Sequence, residues 1–120
     1  MEYKVISPAY LENISGGDKA IIEEIISIFK DQVPEFVNEM NELFSKGSFY
    51  DLGLLAHKAK SSVAVMGMES TAVMLKTFEL QAKEGKEPEK YESYISRFKS
   101  DTEEALKEID DLISKMQNKR

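Results

Sequence analysis

One histidine occurs in the 120-residue chain, at position 57, in the stretch AHKAKSSVAVMG from Ala56 to Gly67. A neutral imidazole is a nucleophile and a proton carrier near neutral pH. Lys58 and Lys60 follow it closely, and no carboxylate lies between Leu52 and Met68, although the chain carries a net charge of -6. Positive charge beside an imidazole favours its neutral form and can stabilise an anionic group attached to it. The local pattern therefore suits an imidazole that carries, or meets, an anion. A solvated histidine on a polar helix face is the alternative that spacing and charge leave open.

Other chemistries find less support. The chain has no Cys, which excludes a disulfide framework, a thiolate metal site and a Cys nucleophile. A carboxylate-bridged di-metal bundle needs Glu-x-x-His pairs on two helices, whereas Leu54 stands three residues before the single histidine. The acidic balance argues against general nucleic-acid binding. No apolar run is long enough for a secretory signal core or a bilayer span. A cytoplasmic protein without membrane insertion is the resulting expectation.

The elements that position His57 follow from periodicity and punctuation. Ser7 and Pro8 suit the N-cap and first position of a short helix to about Ile14, ended by Ser15, Gly16 and Gly17. Asp18 caps a second helix, Lys19 to about Lys46, with Ile22, Ile25, Phe29, Val33, Phe36, Met40 and Leu43 at helical steps. Pro34 interrupts this stripe without changing its phase, which predicts one bent helix. Ile21, Ile26 and Ile28 are surplus to the stripe; each suits core packing, or an apolar docking patch if left exposed.

Gly47 stops the second helix, and Ser48 can cap a third from Phe49 to Met66 that buries Leu52, Leu55, Ala56, Ala59, Val63 and Met66. Gly67 suits the left-handed position after a helix. A fourth helix, about Ser70 to Glu84, places Ala72, Leu75, Phe78 and Ala82 on one face. After the turn EGKEPEKY, a long stripe runs from Tyr91 to Met116. Short connections between amphipathic helices predict an all-α, antiparallel up-down-up-down four-helix bundle with a short additional N-terminal helix. The expectation is a single domain over residues 1–120, with a core of about 11–116 and a frayed C-terminal end. Because the bundle satisfies its own apolar faces, a monomer is expected.

On the third helix, His57 shares a face with Gly53, Leu54, Lys60, Ser61 and Ala64 and points away from the core stripe. Gly53, Ser61 and Ala64 are small and leave room for a large partner to approach.

The stretch AHKAKSSVAVMG resembles the signature of histidine-containing phosphotransfer domains, roughly A-H-x-L-K-G/S-[SA]-x-x-x-[LM]-G. Ala56, His57, Lys60, Ser62, Met66 and Gly67 match it; Ala59 replaces the usual Leu, and Ser61 stands where many members have Gly. The likeness extends to IIEEIISIFKDQVPEFVNEMNELFSKGSF, to Phe78-Glu79 and to Glu84-Gly85, covering about Leu11 to Met116. The resemblance implies a phosphorelay carrier in two-component signalling, without independent catalytic activity. It would take a phosphoryl group from a receiver domain's phospho-aspartate and pass it to another receiver. It implies His57 as phosphoacceptor, Lys60 against the phosphoryl oxygens and Glu79 as acceptor of the Nδ1 proton. Lys58, turned about 100° from His57, would meet a partner's acidic rim, with Gly53, Ser61 and Ala64 at the contact. Implied partners are response-regulator receiver domains and a hybrid sensor histidine kinase. No cofactor is implied for the chain itself, and Mg²⁺ belongs to the partner receiver. A bundle that docks receivers without phosphotransfer is the alternative.

Overall fold

The computed structural model describes residues 3–118, and these form five α-helices without a strand among the described residues. They are α1 (Pro8–Ser15), α2 (Lys19–Lys46), α3 (Phe49–Val65), α4 (Glu69–Glu84) and α5 (Tyr91–Asn118); a single 3₁₀ turn, Pro88–Lys90, leads into α5.

Their ends obey local chemistry. The Ser7 side chain accepts the Tyr10 amide with Pro8 in the first turn, and Asp18 accepts the amides of Ala20 and Ile21. These bonds satisfy donors that have no partner within the helix. Ser48 occupies the N-cap of α3 but makes no side-chain capping bond. The α3 helix ends one residue before the expected Met66, and α4 begins one residue before the expected Ser70. Pro34 lies within a single continuous α2. The expected fraying falls partly outside the described residues, since α5 continues to Asn118.

Packing follows the periodic stripes, with two revisions. On α2 the buried residues are Ile26, Phe29, Val33 and Met40, whereas Ile22, Ile25, Phe36 and Leu43 are half-buried. Ile26, placed outside the stripe by spacing, belongs to the core; Ile21 and Ile28 remain exposed. A second revision concerns α4, where Ala72 is half-buried while Thr71, Met74 and Glu79 join Leu75, Phe78 and Ala82 inside. The buried face of α4 is wider than its apolar stripe because α3 presses closely on that side.

Small residues permit that approach. Gly53, Ala56 and Ala59 are buried on α3. A Cβ built on Gly53 would lie 2.8 Å from the Lys83 Cγ and 3.0 Å from the Glu79 carbonyl oxygen on α4. Gly53 therefore makes room for α4 and not for an incoming partner, which corrects the role expected from its size. Elsewhere Lys30 pairs with Asp110, Phe36 packs edge-on against Phe98, Gln32 accepts from Ser62, and Thr71 donates to Asp101. These links set α2 against α3 and α5, and α5 against α4.

The segment before α1 is strapped to the bundle. The Glu108 carboxylate, fully buried on α5, accepts the backbone amides of Lys4 at 2.9 Å, Val5 at 3.0 Å and Ile6 at 3.0 Å. The Ser7 amide then donates to the Met66 carbonyl at 3.0 Å. Gly67 follows with φ +73°, and a Cβ there would stand 2.5 Å from the Ser7 Cβ. Both the left-handed turn and the crossing strap require glycine at this position.

Candidate functional site

Residue 57 lies in the middle of α3, on the side turned from the core, and its side chain is 56% exposed. The ring is nevertheless held. Its Nδ1 lies 3.0 Å from Glu79 Oε1 on α4, and the Glu79 side chain is only 5% exposed. An ionised carboxylate can only accept, so this bond requires Nδ1 to carry the proton. The Nε2 lone pair is then left facing outward, the arrangement a nucleophile needs.

Glu79 is secured on its other oxygen. Lys83, one turn further along α4, donates to Oε2 at 2.8 Å. Burial pushes the Glu79 carboxyl up, but the bonds from Lys83 and His57 and their charge outweigh it, holding the group down to about 2 against an ordinary 4.5. Because the folded value lies below the unfolded one, the unfolded chain binds the proton first as pH falls. The stabilisation is complete above about 4.5 and disappears as pH falls toward 2. Glu79→Gln is expected to remove this part of the acid sensitivity, as read from urea midpoints at about pH 6 and about pH 3. Equal acid sensitivity in variant and parent would contradict the assignment.

Among the sequence-predicted residues, Lys60 is half-buried one turn beyond His57, and Lys58 and Ser61 are exposed. Neither lysine enters an ion pair among the described residues, so both charges remain available to an anion. Ala64 is half-buried and lines a separate hollow with Ser7, Tyr10 and Ala72. Gly53 is buried against α4, as described above. Beside Ser61, a groove between α2 and α3 is lined by Ile25, Ile28, Phe29, Gln32 and Val65. Among the described residues, no three His, Cys, Asp or Glu side chains gather as a metal-binding group.

Lys83 is the residue that sequence reasoning missed. Its signal was present as a Glu79–Lys83 pair four residues apart, a spacing that places both on one helix face. On an acidic helix such a pair reads as a solvent-exposed ion pair, and only the close approach of α3 makes it part of the site.

The model of the family described as "Hpt domain" matches residues 24–119, nearly the whole chain. No curated protein and no solved structure matches the chain. The chain belongs to the Hpt domain family, whose members are histidine phosphotransfer carriers of two-component phosphorelays rather than enzymes, with receiver domains as partners. No helix among the described residues is long and apolar enough to cross a membrane.

Proposed function

We propose that His57 is the phosphoacceptor of this Hpt domain and that it works between receiver domains. The observation that carries this reading is the Glu79 bond to Nδ1, which leaves the exposed Nε2 as the free ring nitrogen. Nε2 attacks the phosphorus of a receiver's aspartyl phosphate. An N–P bond forms, the acyl phosphate P–O bond breaks, and the aspartate leaves as its carboxylate. The ring, still protonated at Nδ1, becomes cationic, and the Glu79 carboxylate stabilises that charge in place. Transfer to a second receiver reverses the same steps.

Lys60, half-buried one turn beyond His57, is our choice for contact with the phosphoryl oxygens, and the exposed Lys58 for a partner's acidic rim. Mg²⁺ and much of the charge stabilisation come from the receiver pocket, so the carrier itself uses no metal or cofactor. The groove beside Ser61, with exposed Ile28 and Val65 at its edge, supplies apolar contact for the receiver. Ala64 lies one turn beyond Ser61 on α3 and extends the contact.

The cross-helix pairs support an up-down-up-down order of α2 to α5, and the chain acts as one domain, a cytoplasmic monomer without catalytic activity of its own. A hybrid sensor kinase is the source of phosphate that fits such a carrier. Nothing specific favours the docking-only alternative, since the nucleophile, its orienting carboxylate and the free lysines are all present.

The test is transfer from a small panel of labelled phospho-receivers. Acid-labile, alkali-stable label on this protein is expected from at least one donor. Receiver binding without label from any bound donor would instead support the docking-only bundle.

A further inference from the structure

Two lysines stand across from each other on the α3–α4 pair beside His57. Close contacts fix the register of these helices. Gly53 meets Glu79 and Lys83, His57 meets Glu79, and two turns further along α3 Ala64 shares a hollow with Ala72 of α4. The two helices therefore run antiparallel, and the turn between those contacts sets Lys60 of α3 across from Lys76 of α4. Each lysine lies three residues, about 4.5 Å of helix, from the His57–Glu79 pair, and both lie in the same direction from it.

Orientation separates the lysines around the ring. Lys60 is turned about 60° from His57 toward α4, whereas Lys58 is turned about 100° the other way, toward α2. The half-buried Lys60 and the exposed Lys58 agree with that difference. On α4, Lys76 is exposed and shares the edge beside α3 with Glu79 and Lys83. Both oxygens of the Glu79 carboxylate are engaged, Oε1 by His57 and Oε2 by Lys83. Neither Lys60 nor Lys76 enters an ion pair among the described residues. From Leu52 to Phe78 the only carboxylate is Glu69, two turns away from Lys76. Like charges set across a helix pair without a carboxylate between them repel. A dianion between them turns that repulsion into attraction. A phosphoryl group on the outward Nε2 brings three acceptor oxygens within about one turn of both lysines.

We infer that Lys76 is a second phosphoryl-binding residue, and that it closes with Lys60 on the phosphorylated His57 from the two helices. The inference rests on the reading of His57 as acceptor and gives α4 a share in holding the group. Lys58, on the other side of the ring, meets the receiver and not the phosphoryl group.

The experiment measures how label divides at equilibrium between the full chain and each donating phospho-receiver of the panel, at concentrations too low for the two to stay bound. A contact made only within the complex changes the rate of transfer and cancels from this ratio. A contact kept by the free phosphorylated carrier moves it. Lys76→Met is expected to lower the ratio of labelled to unlabelled carrier about threefold, by the same factor with every donor. Lys60→Met should lower it at least as far, and the double variant about tenfold. Lys76→Arg, which keeps the charge, should hold the parental ratio, and Lys58→Met should slow transfer without moving it. Circular dichroism checks that each variant is folded. An unchanged ratio for Lys76→Met would overturn the inference, and slower transfer at that unchanged ratio would set Lys76 against the receiver instead. A parent that takes no label from any receiver would remove the acceptor reading itself, and the role of Lys76 with it.

Discussion

Replacing His57 by Gln is expected to abolish phosphoryl acceptance from every receiver while leaving the bundle folded. Chemistry and structure separate cleanly at this residue. The chain has no other imidazole, and a carboxamide is no nucleophile toward phosphorus at neutral pH. The ring lies outside the core and is more than half exposed, so its loss creates no cavity. What changes is one hydrogen bond to Glu79, which the Gln amide can partly replace and Lys83 continues to support from the other side. The expected stability change is therefore about 1 kcal/mol or less. Label on the variant would place the acceptor elsewhere. A large loss of helical content would show that the ring is structural.

The largest effect on stability is expected from Glu108→Ala, at the opposite extreme of burial. Its carboxylate is fully buried and accepts the amides of Lys4, Val5 and Ile6. Each bond to a charged acceptor contributes about 1.5–3 kcal/mol, and the three are not additive. Truncation removes the acceptor and leaves those amides to find water at a surface that the strap now covers. A loss of about 3–5 kcal/mol follows. Urea denaturation measures it, and Glu108→Gln, which keeps one acceptor oxygen, should lose less. The effect should also reach the site. Ser7 next in the chain donates to the Met66 carbonyl, so a released strap frees the turn that ends α3. A Glu108→Ala protein as stable as the parent would show that the strap is not anchored by this carboxylate.

Much of this protein could be read from its residues in order. Steps of three and four between apolar residues, with Ser7, Asp18, Gly47 and Gly85 as punctuation, define α1 to α5 within a residue or two. These signals are local: a capping bond or a left-handed glycine acts within one turn of its own position. The single histidine and its following lysines also stand in the sequence, and so does their outward face, because the core stripe of α3 leaves them nowhere else to point. The family's motif is itself a local string, with Ala59 in place of its usual Leu and Ser61 where many members have Gly.

Tertiary structure decided what depends on how one helix is rotated against another. Periodicity names a face of α2 but does not set its angle; packing turned Ile26 inward and left Ile22 and Ile25 half-buried. Gly53 looked like space for a partner because its own helix shows only a missing side chain, and the body that fills the space belongs to α4. The resemblance named Glu79 as the partner of the ring but not Lys83; only the packing of α3 over the carboxylate, which brings His57 to it from 22 positions away, draws that lysine into the site. Glu108 sits in a run of acidic residues, and only the strap from the opposite end of the chain makes it a buried anchor. The sequence alone supplies the one imidazole that we propose accepts a phosphoryl group, because nucleophilicity belongs to the side chain. Which ring nitrogen is free to do so is decided by a partner that only the fold brings within hydrogen-bond distance.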